Sequence, residues 1–313
     1  MGAGRIVRLV GPRRSEVTSQ EPAHPGTGEV VVRILACGVC ASELHAWEGP
    51  LPAYPVPLGH EPVGIAEELG PDVTGVSVGD RVTGRFGPSF SDHLVVDERD
   101  LVVVPPDLDL LDSIAEPLGC VVEARRRTPV RSDDAVAVLG AGYMGLLMLD
   151  LLRVEGVESL VALDPREEAR AMSVRLGAGE AIAPEAPSIG DRAGAFDVVI
   201  EASGTQAGLD TATELVRDHG VISILGFHQG GRRSVDMEMW NWKSIDVVNA
   251  HVRRRELLTE AMRRGLELVR LGRIHPARFV THRFRLEDVD DAFEALASKP
   301  AGFIKAVVVN DGD

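Results

Sequence analysis

Cys40, Ser42 and His45 stand within six positions of one another, and the pair His60-Glu61 follows some fifteen residues on. Glu116 comes later, at the head of "EPLGC". Thiolate, imidazole and carboxylate are the ligand types of a catalytic zinc, which keeps few protein ligands and leaves a position open to water or substrate. We therefore take Cys40, His60, Glu61 and Glu116 as candidate metal ligands. Zinc held there would polarise an alcohol so that its proton leaves near neutral pH, and the carbinol hydrogen would then depart as hydride. The proton needs a route to solvent, and Ser42 and His45 are placed to relay it. Taken singly, each residue has a plainer reading: a salt-bridged carboxylate, or a hydrogen-bonded loop histidine. It is their company that argues for a site.

The chain has three cysteines, Cys37, Cys40 and Cys120. Three cannot make a four-cysteine zinc site or the even set of a secreted disulfide framework. Cys37-x-x-Cys40 could be a redox pair, but that motif belongs at the start of a helix in a βαβ unit, and here it follows a strand-like run. Cys37 and Cys120 read as small core residues.

A second chemistry lies in "VLGAGYMG". Gly140, Gly142 and Gly145 form G-x-G-x-x-G between an apolar strand and a helix, and Asp164 ends the next strand about 20 residues further on. In such a loop the first glycine makes the turn, the second lets backbone approach a pyrophosphate, and the third lets the helix pack closely. The helix N-terminus supplies N–H donors to the phosphates. Asp164 would accept the ribose hydroxyls and repel a 2′-phosphate, favouring NAD over NADP. Arg166, two residues on, softens that preference.

The elements that must hold these residues follow from the pattern. Short β-branched runs broken by Gly, Pro and Asp occupy residues 30–109, which predicts a largely antiparallel β domain. From about Asp133, strands alternate with helices, which predicts βαβ units and a doubly wound parallel sheet. After the helical stretch "RRELLTEAMRRGLELVRLG" the β character returns, so the C-terminus should complete the first domain. We expect a β-rich domain of residues 1–125 with 273–313 and a cofactor domain of 126–272.

At 313 residues, with 44% apolar and 26% charged residues, the chain is long enough for two such domains. A net charge of -15 argues against a nucleic-acid groove. The triplets Arg125-Arg126-Arg127 and Arg253-Arg254-Arg255 read as solvated helix faces or ends. The N-terminal stretch lacks the apolar run of a signal peptide, and the apolar stretch 135–152 is short for a bilayer and carries Asp150. The expectation is a cytoplasmic protein without a membrane partner, acting on a small molecule.

In "CGVCASELH", "LGHEPVG", "VGDRV", "AEPLGC", "VLGAGYMG", "EASG" and "GFIKAVV", in that order, the sequence resembles the medium-chain dehydrogenase/reductase superfamily, in its zinc-dependent alcohol and polyol dehydrogenase branch. The resemblance implies a GroES-like catalytic domain joined to a Rossmann domain. It implies that Cys40 and His60 ligate zinc, that Glu61 and Glu116 occupy or exchange at the metal, and that Ser42 and His45 relay the proton. It places Tyr143, Met144 and Ser203 at the cofactor with the glycines, Asp164 and Arg166. It also puts Phe227, with the backbone of Ala250 and His251, near the nicotinamide carboxamide, and Lys305 near the pyrophosphate and Glu43.

The chain departs from the family in running directly from "GDRVTGRFG" to "PSFSDHLVV", without the four-cysteine lobe that holds a structural zinc. One zinc per chain is therefore expected. Ala41 replaces an arginine that some relatives direct at the cofactor phosphate. The implied activity is oxidation of a secondary alcohol, within that class a polyol, cyclitol or sugar-like one, or the reverse reduction. Two alternatives stay open: an epimerase or lyase that recycles bound NAD, and a non-catalytic NAD-binding protein. A homo-oligomer is expected, with a dimer as the default. The stretch "HAWEGPLPAYP" reads as a pocket lining, with wall packing the alternative for Trp47 and Tyr54.

Overall fold

A computed structural model describes residues 4–21 and 24–310. Residues 1–3, the start of the stretch searched for a leader, lie outside the described residues. The chain forms two compact units, Met1–Gly119 with Arg254–Asp313, and Cys120–Arg253.

The first unit opens with strands β1 (Gly4–Gly11), β2 (Arg14–Gln20) and β3 (Glu29–Gly38). A short helix α1 (Leu44–Glu48) leads to β4 (Val56–Pro57), β5 (Glu61–Leu69), β6 (Arg81–Gly84), β7 (His93–Asp97) and β8 (Leu101–Val103). Helix α2 (Glu116–Arg127) follows, and the unit boundary falls within it.

The second unit holds β9 (Ala135–Leu139), α3 (Tyr143–Val154), β10 (Ser159–Leu163), α4 (Glu167–Arg175) and β11 (Glu180–Ile182). It continues with β12 (Phe196–Glu201), α5 (Gln206–Leu215), β13 (Val216–Ile224), α6 (Met237–Lys243) and β14 (Asp246–Asn249). The chain then rejoins the first unit through α7 (Arg255–Arg270), β15 (Val280–Phe284), α8 (Val289–Ser298) and β16 (Lys305–Val309).

In the first unit the larger sheet runs β15-β16-β3-β5-β6-β8, with β7 also on β3. All its pairings are antiparallel except β15 with β16. Strand β16 joins β3 through Val308 opposite Cys37, which seats the C-terminal strand beside the one that delivers the first candidate ligand. Helix α8 covers this region, packing Phe293 among Trp47, Phe90 and Phe303. Burying each of these large side chains contributes about 1.5–3 kcal/mol, enough to hold the last sixty residues on the first unit.

The second unit is a single six-stranded parallel sheet in the order β11-β10-β9-β12-β13-β14. Its central strands are apolar on both faces because helices cover both, so Val136 to Leu139 are buried without alternation. The chain order reverses direction between β9 and β12, and ligands of such sheets bind outside the strand C-termini at that switch point.

The units divide at 119/120 and 253/254, whereas the sequence pattern suggested 125/126 and 272/273. Helix α7 explains the second difference. Gly119 leaves space that a Cβ would share with Met262 Cγ at 2.5 Å, and Gly265 leaves space filled by Leu118 Cγ at 2.6 Å. These contacts between residues far apart in sequence seat α7 on the first unit. Among the described residues no helix is long and apolar enough to cross a membrane.

Candidate functional site

Strand β3 ends at Gly38, and the chain passes through Val39 and Cys40 into a 3-10 turn, Ala41–Glu43, before α1. Strand β5 begins at Glu61, directly opposite Gly38 in the antiparallel register. The end of one strand and the start of its neighbour therefore bring Cys40 next to His60 and Glu61. Their donor atoms all lie within 4.8 Å of one another. The spacing of about 20 residues between Cys40 and His60 becomes contact because β3 and β5 are paired.

Glu61 is 1% exposed, and its Oε2 lies 2.0 Å from where a Cβ of Gly38 would be, so the carboxylate occupies space that only glycine leaves open. Lys305, the first residue of β16, reaches Glu61 Oε2 at 2.5 Å and donates to the Val39 carbonyl at 3.0 Å. Burial alone would neutralise this carboxyl, but the Lys305 ammonium, the His60 charge and hydrogen bonds from Lys305 and Cys40 together hold Glu61 below the usual range. Burial likewise disfavours the ammonium, and the charge and hydrogen bond of Glu61, with the charges of Cys40 and Glu116, together offset that and raise Lys305. The two form a buried ion pair.

Glu43 takes a different role. Its Oε1 accepts from Gly59 N at 2.7 Å and lies 3.2 Å from His60 Nδ1. That contact orients the imidazole and leaves its other nitrogen for Cys40 or a metal, the arrangement by which outer carboxylates fix ligating histidines. Burial works against a proton on His60, yet hydrogen bonds to Cys40 and Glu43 push it up to about 12. Burial also raises the Cys40 thiol, with the Glu61 charge adding to it. A thiol, an imidazole and a buried carboxylate that attract positive charge in this way suit a soft-to-borderline divalent cation such as zinc. The donor set fits the metal that the sequence suggests.

Ser42 Oγ donates to Cys40 Sγ at 3.2 Å, so the hydroxyl is at the cluster. His45 lies exposed on α1, and among the described residues no direct hydrogen bond joins it to Ser42. Glu116 is 6% exposed at the first turn of α2, and its charge is felt by Lys305, but its oxygens are not among the close donor atoms. Cys37 is 1% exposed beside Val39, Trp47 and Phe90, and burial pushes its thiol well up.

Lys305, expected at a pyrophosphate and beside Glu43, thus turns its ammonium into the first unit toward Glu61. Trp47, expected at a pocket wall, is 1% exposed, stacks on Phe293 at 5.6 Å and donates from Nε1 to Asp290 at 2.8 Å. The plainer reading of Trp47 as packing is the one the fold adopts. The Tyr54 hydroxyl oxygen accepts from Leu51 N at 3.0 Å.

The glycine loop of the second unit divides its work among three residues. Gly140 has φ +94°, and a Cβ there would meet Ser203 N at 2.8 Å, so both the turn and its neighbour require glycine. A Cβ on Gly145 would lie 1.9 Å from the Gly140 carbonyl oxygen, so the glycine lets α3 pack onto the turn. Gly142 caps α3 with nothing within 4 Å of its Cβ position, which leaves an open approach to backbone N–H groups at a helix N-terminus. That open cradle fits a pyrophosphate. Tyr143 is buried in the first turn of α3, and Met144 is half-buried beside it.

Asp164 is 4% exposed and accepts from Ala141 N at 2.9 Å and from Arg166. Ser203, exposed, gives its N–H at 2.8 Å to Glu201, a fully buried carboxylate that also accepts from Gly204 N and pairs with His228 Nε2 at 2.8 Å. Phe227 is 45% exposed, edge-on to His251 with Arg253 above its ring. Glu43, Gly38 and His228 are the residues at these sites whose contacts the sequence did not disclose. Their signal was weak: each partner lies 17 to 27 positions away, reached only across the fold.

Residues 26–106 match the alcohol dehydrogenase GroES-like domain family, and residues 113–309 match the glucose dehydrogenase C-terminus family. A Mycobacterium tuberculosis protein described as a probable zinc-binding alcohol dehydrogenase is 31% identical over 67% of this chain, which covers 65% of that relative's own length, a little under two thirds. The L-threonine 3-dehydrogenase of Ruegeria pomeroyi is 27% identical over 88% of this chain and 91% of its own. A solved structure from Sinorhizobium meliloti 1021, described as a zinc-binding dehydrogenase and bound to NADP, superposes with a TM-score of 0.87 at 25% identity over 99% of this chain and 100% of its own. A GroES-like unit bearing a thiol-imidazole-carboxylate cluster, followed by a parallel-sheet unit with a phosphate-ready glycine turn, defines a two-domain dehydrogenase. The chain belongs to the medium-chain dehydrogenase/reductase superfamily, in its zinc-dependent alcohol and polyol dehydrogenase branch.

Proposed function

We propose that the chain oxidises a secondary alcohol to a ketone with a nicotinamide dinucleotide, or runs the reverse reduction, using one zinc held by Cys40, His60 and Glu61. The observation that carries this reading is the convergence of those three donor atoms within 4.8 Å. When bound, the metal polarises the substrate oxygen and the dinucleotide exchanges the hydride. The protein's own groups do the rest. Glu43 orients His60, Lys305 keeps Glu61 ionised, and Gly38 gives Glu61 its space. Ser42, at the cluster, takes the substrate proton, and exposed His45 passes it to solvent through a bridging hydroxyl or water. The metal unit serves as the catalytic domain and the parallel-sheet unit as the cofactor domain.

The finer reading is a polyol, cyclitol or sugar-like substrate. It is supported by the likeness of Glu61 and Glu116 to the carboxylates of polyol dehydrogenases. The threonine dehydrogenase relative is consistent with it, since threonine too is a secondary alcohol flanked by polar groups. One zinc per chain follows from a cysteine inventory too small for a four-cysteine site. NAD as the cofactor rests on Asp164. A cytoplasmic homodimer is the matching expectation for place and assembly.

Elemental analysis of wild type and Cys40→Ala tests the metal, followed by a polyol and cyclitol screen with NAD. About one zinc per chain, lost in the variant, with NADH accumulating on a substrate, is the expected result. Protein purified without chelator that holds no zinc overturns the mechanism. Substrate conversion without free NADH would instead indicate a closed redox cycle.

A further inference from the structure

We propose that His228, held between Glu201 and Arg233, is a positioning residue for the nicotinamide half of the dinucleotide, fixing the lip of the parallel sheet that carries Phe227. The inference rests on the dinucleotide reading above and concerns the half of the cofactor beyond the glycine turn.

The order of strands divides the cofactor's path. The sheet runs β11-β10-β9-β12-β13-β14, with the glycine turn after β9 and Asp164 after β10. With the pyrophosphate at the turn and the adenosine ribose at Asp164, the nicotinamide half extends the other way, over the ends of β12 and β13. Strand β13 lies two strand spacings from β9, roughly 10 Å. The ends of β12 and β13 touch through backbone. A Cβ on Gly226 would lie 2.4 Å from Gly204 N, and one on Gly204 would lie 2.9 Å from the Phe227 carbonyl oxygen. Further along, Gly230 and Gly231 meet no neighbour within 4 Å of their Cβ positions, so side-chain bonds must tie down the loop.

Those bonds form one chain. Glu201, at the end of β12, is fully buried; its Oε1 accepts from Ser203 N at 2.8 Å and Gly204 N at 3.0 Å, and its Oε2 meets His228 Nε2 at 2.8 Å. Arg233 Nε donates to His228 Nδ1 at 3.2 Å, and its Nη2 donates to the Gln229 carbonyl at 2.7 Å. An arginine only donates, so Nδ1 accepts and the ring's proton sits on Nε2, which donates to the carboxylate. The imidazole is therefore held in one tautomer and one orientation. With His228 turned inward, its side chain 14% exposed, the neighbouring Phe227 is left 45% exposed and edge-on to His251 at 5.7 Å. The clasp thus fixes the face that the lip offers to a flat ring, and neither His228 nor Arg233 has to touch the cofactor to do so.

The test is equilibrium binding of NADH, read by the fluorescence of its reduced ring, and of ADP-ribose, which keeps the adenosine and pyrophosphate but lacks nicotinamide, read by calorimetry. Arg233→Met opens the clasp and leaves buried Glu201 paired with His228, so the fold should survive. It should weaken NADH about tenfold or more, the scale of one charge-assisted hydrogen bond lost from the binding-competent lip, and leave ADP-ribose within about twofold. His228→Gln keeps an oxygen for Arg233 and an amide N–H for Glu201, and should hold NADH within about threefold of wild type, a rescue that general damage to the loop would not produce. Unchanged NADH affinity in Arg233→Met overturns the inference, as does an equal loss of both ligands or a His228→Gln variant as weak as Arg233→Met. If the folded wild type binds neither ligand, the dinucleotide reading itself falls.

Discussion

Lys305→Met removes the ammonium that is ion-paired with Glu61, and its cost can be worked from the geometry. The ammonium lies 2.5 Å from Glu61 Oε2, and the two side chains are 6% and 2% exposed. Breaking a buried pair from one side leaves an uncompensated charge, which costs about 3–5 kcal/mol. The first unit contains about 180 residues, a size at which each kcal/mol moves the unfolding midpoint by about 2–4 °C, so metal-free Lys305→Met should melt about 6–20 °C below wild type. The carboxylate has little room to adjust, because it already fills the space over Gly38. Zinc should narrow the gap, since a cation bound to Cys40, His60 and Glu61 restores positive charge beside the orphaned carboxylate; a ligand at 100 times its Kd contributes about 2.7 kcal/mol. Adding Glu61→Gln to Lys305→Met should recover most of the metal-free loss, because it removes the buried charge. Differential scanning calorimetry of the chelated and zinc-loaded proteins measures each midpoint. A metal-free Lys305→Met within about 1 kcal/mol of wild type, or a double variant as unstable as the single one, would refute the reasoning.

Five single-residue variants probe the rest of the structure. Gly142→Ala should fold normally, since φ is -77° and nothing lies within 4 Å of the new methyl, yet weaken NADH binding at least about tenfold by blocking the phosphate approach. Gly145→Ala should instead destabilise the second unit by about 1–3 kcal/mol or more, since its methyl meets the Gly140 oxygen, and paired melting and binding curves separate the two effects. Ser42→Ala should lower kcat about 10²- to 10⁴-fold with zinc content unchanged, and His45→Ala should lower it less, because exposed water can replace His45; steady-state kinetics with metal analysis on the same samples checks both. Trp47→Ala should cost about 3–5 kcal/mol in thermal unfolding as a buried partner of Phe293 and Asp290, without changing the order of preference among substrates.

The sequence by itself determined the features whose physics is local. The spacing of Gly140, Gly142 and Gly145 against one strand and one helix specifies a turn that other residues cannot make, since φ at the first and helix packing at the third are set within a few positions. Alternation of apolar runs with helical stretches likewise announced a parallel sheet, because helices on both faces demand strands without a polar side. Cys40, His60 and Glu61 were legible as donors from their types and order.

Only the tertiary structure decided which charges meet. Lys305 and Glu61 are 244 positions apart and become partners because β16 and β5 both pair with β3. Glu43 serves His60 and Gly59 for a similar reason, and Trp47 leaves the pocket for the core because α8 brings Phe293 and Asp290 over it. Even the short step from Asp164 to Arg166 could not be read from residue types, since an arginine two positions on can face solvent or turn back. It turns back here, and Ala141 closes the remaining acceptor position from the glycine loop of the neighbouring strand. Backbone geometry and glycine placement are settled over a few residues, whereas buried charges are settled by whichever partners the packed fold brings within about 3 Å, because an unpaired buried charge is too costly to leave.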